Sequence, residues 1–258
     1  MLLRRITEHL QTQNWTAVGI DIVVVILGVF LGFQVTEWNE QRLLSNQRDV
    51  YLTRIVGDLE RDVEEANRVV AANLRIMEAI QLLEDIGRDP KIAVKDPEAF
   101  LMALRLASGT RQIVLVRDTF DELRSAGHLA LLANPSLQSK LIRYYSERVV
   151  RDQFRTFNTL PHERYRTLAM GLLDIKQKMA TWLYRDDFEW DYPELDVDQD
   201  EALRIANAMA ARPELLDVLP ALHEGKFGSM REGRRTKNQA EALIALIETE
   251  LMGRSTPR

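Results

Sequence analysis

No cysteine occurs anywhere in the 258 residues. Disulfides, thiolate nucleophiles and cysteine-ligated metals are therefore excluded outright. Histidine is scarce as well. His9, His128, His162 and His223 lie far apart, and none belongs to a His-x-x-x-His or His-Glu-x-x-His pattern. Each reads as a surface or cap residue rather than a metal ligand; His162, beside Glu163, is the best single candidate for a general base. The chain has no Gly-x-Ser-x-Gly elbow, phosphate-cradling loop or dinucleotide fingerprint. Gly225-Lys-Phe-Gly228 lacks both the length and the Ser/Thr of a phosphate loop. Cationic surplus is missing too: 34 Lys and Arg against 39 Asp and Glu leave a net charge of −5, which argues against nucleic acid as the main partner. No cofactor is called for. Internal repeats and low-complexity tracts are absent.

Strand signals are nearly absent. Gln112-Ile-Val-Leu-Val-Arg117 is the one β-branched run, and a single short strand has nothing to pair with. The chain is expected to be all-α.

One long apolar run is present. Ala17 to Val35 supplies 19 residues interrupted by a single charge, Asp21. A hydrocarbon core of about 30 Å needs about 20 such residues at 1.5 Å each. Trp15 and Trp38 flank the run as aromatic interface anchors do. Arg4 and Arg5 precede it, whereas Glu37 and Glu40 open the far side, so the positive-inside rule puts the short amino-terminal tail in the cytoplasm. Residues 28–38 offer no Ala-x-Ala-like cleavage exit, so the segment reads as a retained signal-anchor rather than a cleaved signal peptide. In a bacterium this places the chain in the inner membrane as a single-pass protein with its carboxy-terminal domain in the periplasm.

One face of this anchor is patterned. Asp21, Val25, Gly28, Gly32, Val35 and Asn39 recur at spacings of 4, 3, 4, 3 and 4, which keeps them on one stripe of a helix. Gly28-x-x-x-Gly32 is a small-xxx-small pattern that permits close approach of two membrane helices. A carboxyl group just inside the hydrocarbon normally faces protein or water. The stripe points to a homodimer or a partner membrane protein, against the plain alternative of ordinary membrane-helix glycines.

Beyond the anchor the pattern turns helical. Tyr51, Ile55, Leu59, Val63, Ala66, Val70, Leu74 and Met77 recur every three or four residues, and no proline lies between Val35 and Gly87. The anchor is thus expected to continue as one long juxtamembrane helix. Asp96-Pro97-Glu98 starts the next helix and Gly109 stops it. Thr119-Phe-Asp-Glu122 reads as a capping box, with Gly127 as the stop. Asn134-Pro135 opens a longer helix with Leu137, Leu141, Tyr145 and Val149 on one face. Pro161 splits it, after which helix resumes to about Tyr184. Further helices are expected over 199–211 and 213–224. Ser229-Met-Arg-Glu232 reads as a capping box that introduces a last helix with Ala240, Leu243, Ile247 and Leu251 inward. The organisation expected is a tail (1–15), a transmembrane helix (16–36), a juxtamembrane helix and loop (37–95), an irregular helical bundle (96–252) packed with 45–86, and a disordered tail (253–258).

The acidic stretch Asp186–Glu201 contains no basic residue. Asp196, Asp198 and Asp200 mimic the start of a calcium loop, but Glu201 stands where glycine is needed and Asn207 where the bidentate Glu belongs. The stretch reads as a connection whose last acids cap the following helix. Trp182, Tyr184, Phe188, Trp190 and Tyr192 offer a groove for a peptide, glycan or partner as the alternative to a core-covering loop. Lys226, Arg231, Arg234, Arg235 and Lys237 form a small basic cluster, the ordinary reading of which is a solvated helix start.

The stretch Gly28-Val-Phe-Leu-Gly-Phe-Gln-Val-Thr-Glu-Trp-Asn-Glu40 resembles the signature of an uncharacterised bacterial family of single-pass membrane proteins. Asn14-Trp-Thr-Ala-Val18, Tyr51-Leu-x-x-Ile55, Thr119-Phe-Asp-Glu-Leu-x-Ser-x-Gly127 and the closing Ala-Leu-Ile-x-x-Ile-Glu-x-Glu-Leu251 are similar to it as well. The resemblance implies an amino-terminal anchor and a helical domain, and no established activity. The function expected is a non-catalytic, membrane-anchored interaction or scaffold protein. The alternatives are an extracytoplasmic ligand sensor or adaptor signalling through a partner transmembrane helix, and a periplasmic hydrolase using acids of 186–201 with His162 or His128.

Overall fold

The computed structural model describes residues 15–154, 159–181 and 193–253. In chain order these form α1 (Trp15–Arg88), a 3-10 turn (Pro90–Val94), α2 (Pro97–Leu106), α3 (Asp118–Ser125), a second 3-10 turn (His128–Leu131) and α4 (Pro135–Phe154). There follow α5 (Leu160–Leu168), α6 (Ile175–Ala180), α7 (Gln199–Ala210), α8 (Pro213–Leu216) and α9 (Leu219–Met252). No strand occurs among the described residues, and the fold is an all-α bundle with a long apolar helix near the amino end. Two compact units divide at Met1–Thr53 and Arg54–Arg258.

In the first unit the described residues belong to α1 alone. Ile22, Val23, Val24, Val25 and Ile26 are β-branched and poor helix formers by intrinsic propensity. With no proline in the run, every amide can still bond to the carbonyl four residues back. That internal pairing becomes decisive wherever water is not present to serve the backbone. Every side chain from residue 22 through 44 is exposed.

The second unit is built on the remainder of α1. Its buried line runs Ile55, Leu59, Asp62, Ala66, Val69, Asn73, Ile76, Ile80, Leu83 and Ile86. The lower half of that line packs with Phe100, Leu101 and Leu104 of α2, Tyr165 of α5, Ile205 and Met209 of α7, and Leu219 and Leu222 of α9. Farther up, Ala66 and Val69 close on Ile113, with Leu115 packed at the margin. Gly233 of α9 lies so near α1 that a Cβ built there would sit 2.8 Å from Val70 Cγ2. The first long helix and the last one therefore pack together, as expected.

Several sequence signals act as read. Asp96 accepts from the Ala99 amide (3.0 Å) ahead of Pro97 and opens α2. Asn134 does the same for α4 through Ser136 and Leu137 (3.0 and 3.2 Å). Asp198 accepts from the Glu201 amide (2.8 Å), so the acidic stretch ends in a helix cap. Gly127 takes a left-handed φ of 73°, ending α3.

Others are corrected. The buried face of α1 keeps Tyr51, Ile55, Leu59 and Ala66 of the expected stripe and departs from it elsewhere: Leu74 is 40% exposed, and Val63, Val70 and Met77 are only half-buried. Asp62 and Asn73 occupy the line instead, because the segment 111–117 supplies their hydrogen bonds. The Thr119 capping box does not form; Arg117 is the N-cap residue, without a side-chain bond. Asp58 of α1 takes over, its carboxylate accepting from the Thr119 amide at 3.3 Å. Pro161 does begin a new helix, but that helix stops at Leu168, where Gly171 takes a φ of 80°. A new capping box, Asp174 with Gln177, then starts α6. The helix expected over 213–224 is one turn, α8, and α9 runs unbroken from Leu219 through Ser229. Ser229 is no cap: its hydroxyl donates back to the Gly225 carbonyl (3.1 Å), as a mid-helix serine does. Leu251 is half-buried rather than inward.

Candidate functional site

The patterned face of the apolar part of α1 is the first candidate. Val25, Gly28, Gly32, Val35 and Asn39 lie on one line of α1, all exposed, with Val25 and Val35 each 64% open. A Cβ built at Gly28 or Gly32 meets nothing within 4 Å. Both glycines thus leave an open notch in the helix surface rather than seating another part of the chain. The Thr36 hydroxyl donates to the Gly32 carbonyl (3.0 Å), so the polar atom beside the notch is satisfied within its own helix. Trp38 is 63% exposed, and the Arg42 guanidinium stands 5.8 Å from its ring centroid. That pairing suits a level where an aromatic body meets an apolar phase and a cation reaches water. The side chains of Trp15 and Asp21 lie outside the described ones, as do the groove residues Trp182, Tyr184, Phe188, Trp190 and Tyr192. Among the described residues one helix is long and apolar enough to cross a membrane, and none of its apolar window is buried.

Two buried polar groups in the second unit are the other candidates. In the first, Asp62 (0% exposed) accepts from the Tyr144 hydroxyl (2.8 Å) and from the Val116 amide (2.8 Å). Asp58 pairs with Arg61 and holds the Thr119 amide. Phe120 stacks on Tyr145 with centroids 4.4 Å apart, and Tyr144 meets Tyr145 edge-on at 5.0 Å. Burial, then the charges of Asp62 and Asp58, push the Tyr145 hydroxyl far above its ordinary range. That phenol stays neutral and offers no base. Each carboxylate is committed to holding the extended segment and the start of α3 on α1. The arrangement is a clamp.

In the second group His162 of α5 and Lys226 of α9 meet under the end of α2. Lys226 is 3% exposed; its ammonium donates to the Gly109 carbonyl and lies 3.5 Å from His162 Nε2. Arg166 donates to the Ser108 carbonyl at 3.2 Å, and the Tyr165 hydroxyl to Leu104 at 2.9 Å. Donors from α5 and α9 thus serve the carbonyls that α2 leaves open at its carboxy end. Burial, reinforced by the Lys226 and Arg166 charges, pulls His162 down to about 4. Burial, then Arg166, brings Lys226 down to about 8. At neutral pH the imidazole is uncharged and a feeble proton acceptor, so the general-base role that the sequence suggested for His162 is disfavoured by its surroundings.

His162 is buried, not the surface or cap residue expected. Sequence reasoning missed this group because Lys226 was grouped with the solvated arginines after it. A weak signal existed: Lys226, Met230 and Gly233 follow the buried spacing of α9. Asp196 and Asp200 bring no further acid into a metal geometry, and no three His, Asp or Glu side chains converge as a metal centre would require among the described residues. A shallow depression bounded by Ala133, Asn134, Leu246, Thr249 and Glu250 contains one carboxylate and one amide, which are bonded to each other at 3.3 Å. Against protein-family models, curated proteins and solved structures, the chain gives no match.

Proposed function

We propose that the chain is a single-pass, membrane-anchored interaction or scaffold protein without catalytic activity. Its amino-terminal tail is cytoplasmic, and its helical domain faces the periplasm of a bacterium. The observation that carries this reading is the uncovered apolar run: eleven large apolar side chains from Ile22 to Val35, each more than half exposed. So much apolar surface on consecutive turns is costly in water and favourable in hydrocarbon. The resemblance of Gln34-Val35 and Trp38-Asn39-Glu40 to the single-pass family signature supports the same assignment, and Arg4 and Arg5 support its direction.

The interaction runs through the glycine stripe, where the anchor self-associates or meets a partner membrane helix. Close approach at Gly28 and Gly32 supplies the packing that lipid-exposed apolar side chains cannot, since lipid tails are as apolar as leucine. In a membrane reporter of self-association, Gly28→Ile with Gly32→Ile abolishes the signal while membrane content stays constant. An undiminished signal refutes the stripe. Direction is read with a periplasm-active enzyme fused after Arg258: activity is expected, and silence in properly inserted protein reverses the topology. Crosslinking in intact membranes identifies what the bundle meets.

A further inference from the structure

The contact between α5 and α9 joins two basic side chains with no acid between them among the described residues. His162 is 9% exposed and Lys226 is 3% exposed, so neither has water enough to spread its charge. An ammonium donates only. At 3.5 Å from His162, Lys226 therefore faces Nε2 as its acceptor. A second proton turns Nε2 into a donor facing a donor. Two like charges then stand in the same dry contact.

The charged side chains acting on His162 are Lys226 from α9 and Arg166 from its own helix, both cations. The end of α2 contributes the Ser108 and Gly109 backbones, which already accept from Arg166 and Lys226. Glu163, next in sequence, is exposed and turned away from the contact by about 100° along α5. Histidine at a helix junction is commonly stabilised as a cation by a carboxylate or a helix end. Here Lys226 and Arg166 take the helix end, and the hydrogen bond with the Ser108 backbone, which favours the cation, is outweighed by burial and by those two charges.

We propose that this junction is an acid-released latch: protonation of His162 sets two cations against each other and detaches α5 from α9 and from the end of α2. The released segment carries Tyr165, which is fully buried in the main core and bonded to the Leu104 carbonyl. Acid thus opens the bundle at one defined helix before the rest unfolds. An envelope protein that met acidified surroundings would expose this helix first; the latch itself depends only on the second unit and not on the compartment.

The sign follows from linkage. With His162 near 4 in the folded chain and near 6.5 when exposed, the open form binds more protons throughout that interval. Closure is therefore fully stable above about pH 6.5 and weakens as pH falls towards 4. Between pH 7 and 4.5 the opening constant rises about 50-fold on this account.

The test uses the full chain in neutral detergent micelles, with hydrogen exchange of residues 160–168 followed by mass spectrometry at pH 7 and 4.5, corrected for intrinsic exchange. Wild-type protein is expected to lose protection there by about 50-fold while α7 changes much less. His162→Gln, which keeps an acceptor but takes no proton, is expected to hold its protection. Equal acid loss in wild type and His162→Gln overturns the latch. Should that variant fold poorly, NMR titration of the four histidines in the wild type decides: one ring that stays neutral below pH 5 supports the proposal, and four rings titrating near 6.5 overturn it.

Discussion

Removing the anchor's apolar character gives the most direct test of the membrane assignment. Leu27 and Leu31 are 52% and 60% exposed, so changing them disturbs little packing within the chain. The eleven large apolar side chains between Ile22 and Val35 contribute about −3 to −7 kcal/mol on an insertion scale of roughly −0.3 to −0.6 each. One Leu→Arg exchange near the centre costs about 3–4 kcal/mol, and two cost about 6–8, enough to reverse the balance. Leu27→Arg with Leu31→Arg should therefore leave the membrane pellet and appear in the alkaline-soluble fraction, whereas wild type requires detergent. Far-UV circular dichroism and urea unfolding of the bundle should be unchanged, because those positions lie outside its core. Wild-type protein released by alkali alone would refute the reasoning. So would a double-arginine variant that still needs detergent.

Two further perturbations probe the bundle. Gly233→Ala forces a Cβ to 2.8 Å from Val70 and should destabilise by about 1–2 kcal/mol after the gain in helix propensity, with Val70→Ala restoring part of the loss. The same exchange at Gly228, where nothing lies within 4 Å, should instead stabilise by about 0.5–1 kcal/mol; equal effects at both sites in urea titrations would contradict the close crossing of α1 and α9. Asp62→Ala removes the carboxylate that the Tyr144 hydroxyl and the Val116 amide donate to in a buried site and should cost about 2–4 kcal/mol, with faster exchange at Val116. A loss below about 0.5 kcal/mol would show that the clamp is dispensable.

The apolar helix, the helix caps at Asp96, Asn134 and Asp198, and the stop at Gly127 were legible in the chain because each rests on neighbours within a few residues. Local chemistry fixes such features whatever the fold around them. Asp58 and Asp62 were illegible for the opposite reason. A carboxylate on a helix reads as solvated until another segment brings amide and hydroxyl donors to it, and those come from residues 54 to 82 positions away. Ser229 and Thr119 show the same limit from the other side: each carries the sequence of a cap, and tertiary packing gave one a place inside α9 and the other a cap on α1.

By itself, then, the sequence determined the all-α class, the apolar helix and most helix starts, since periodicity and short-range hydrogen bonding settle these. Only the tertiary structure decided which face of α1 is buried beyond Ala66, that Lys226 sits beside His162 in a dry junction, and that the segment 111–117 is strapped along α1. Burial is a property of what arrives from elsewhere in the chain, and spacing along one helix does not carry that information.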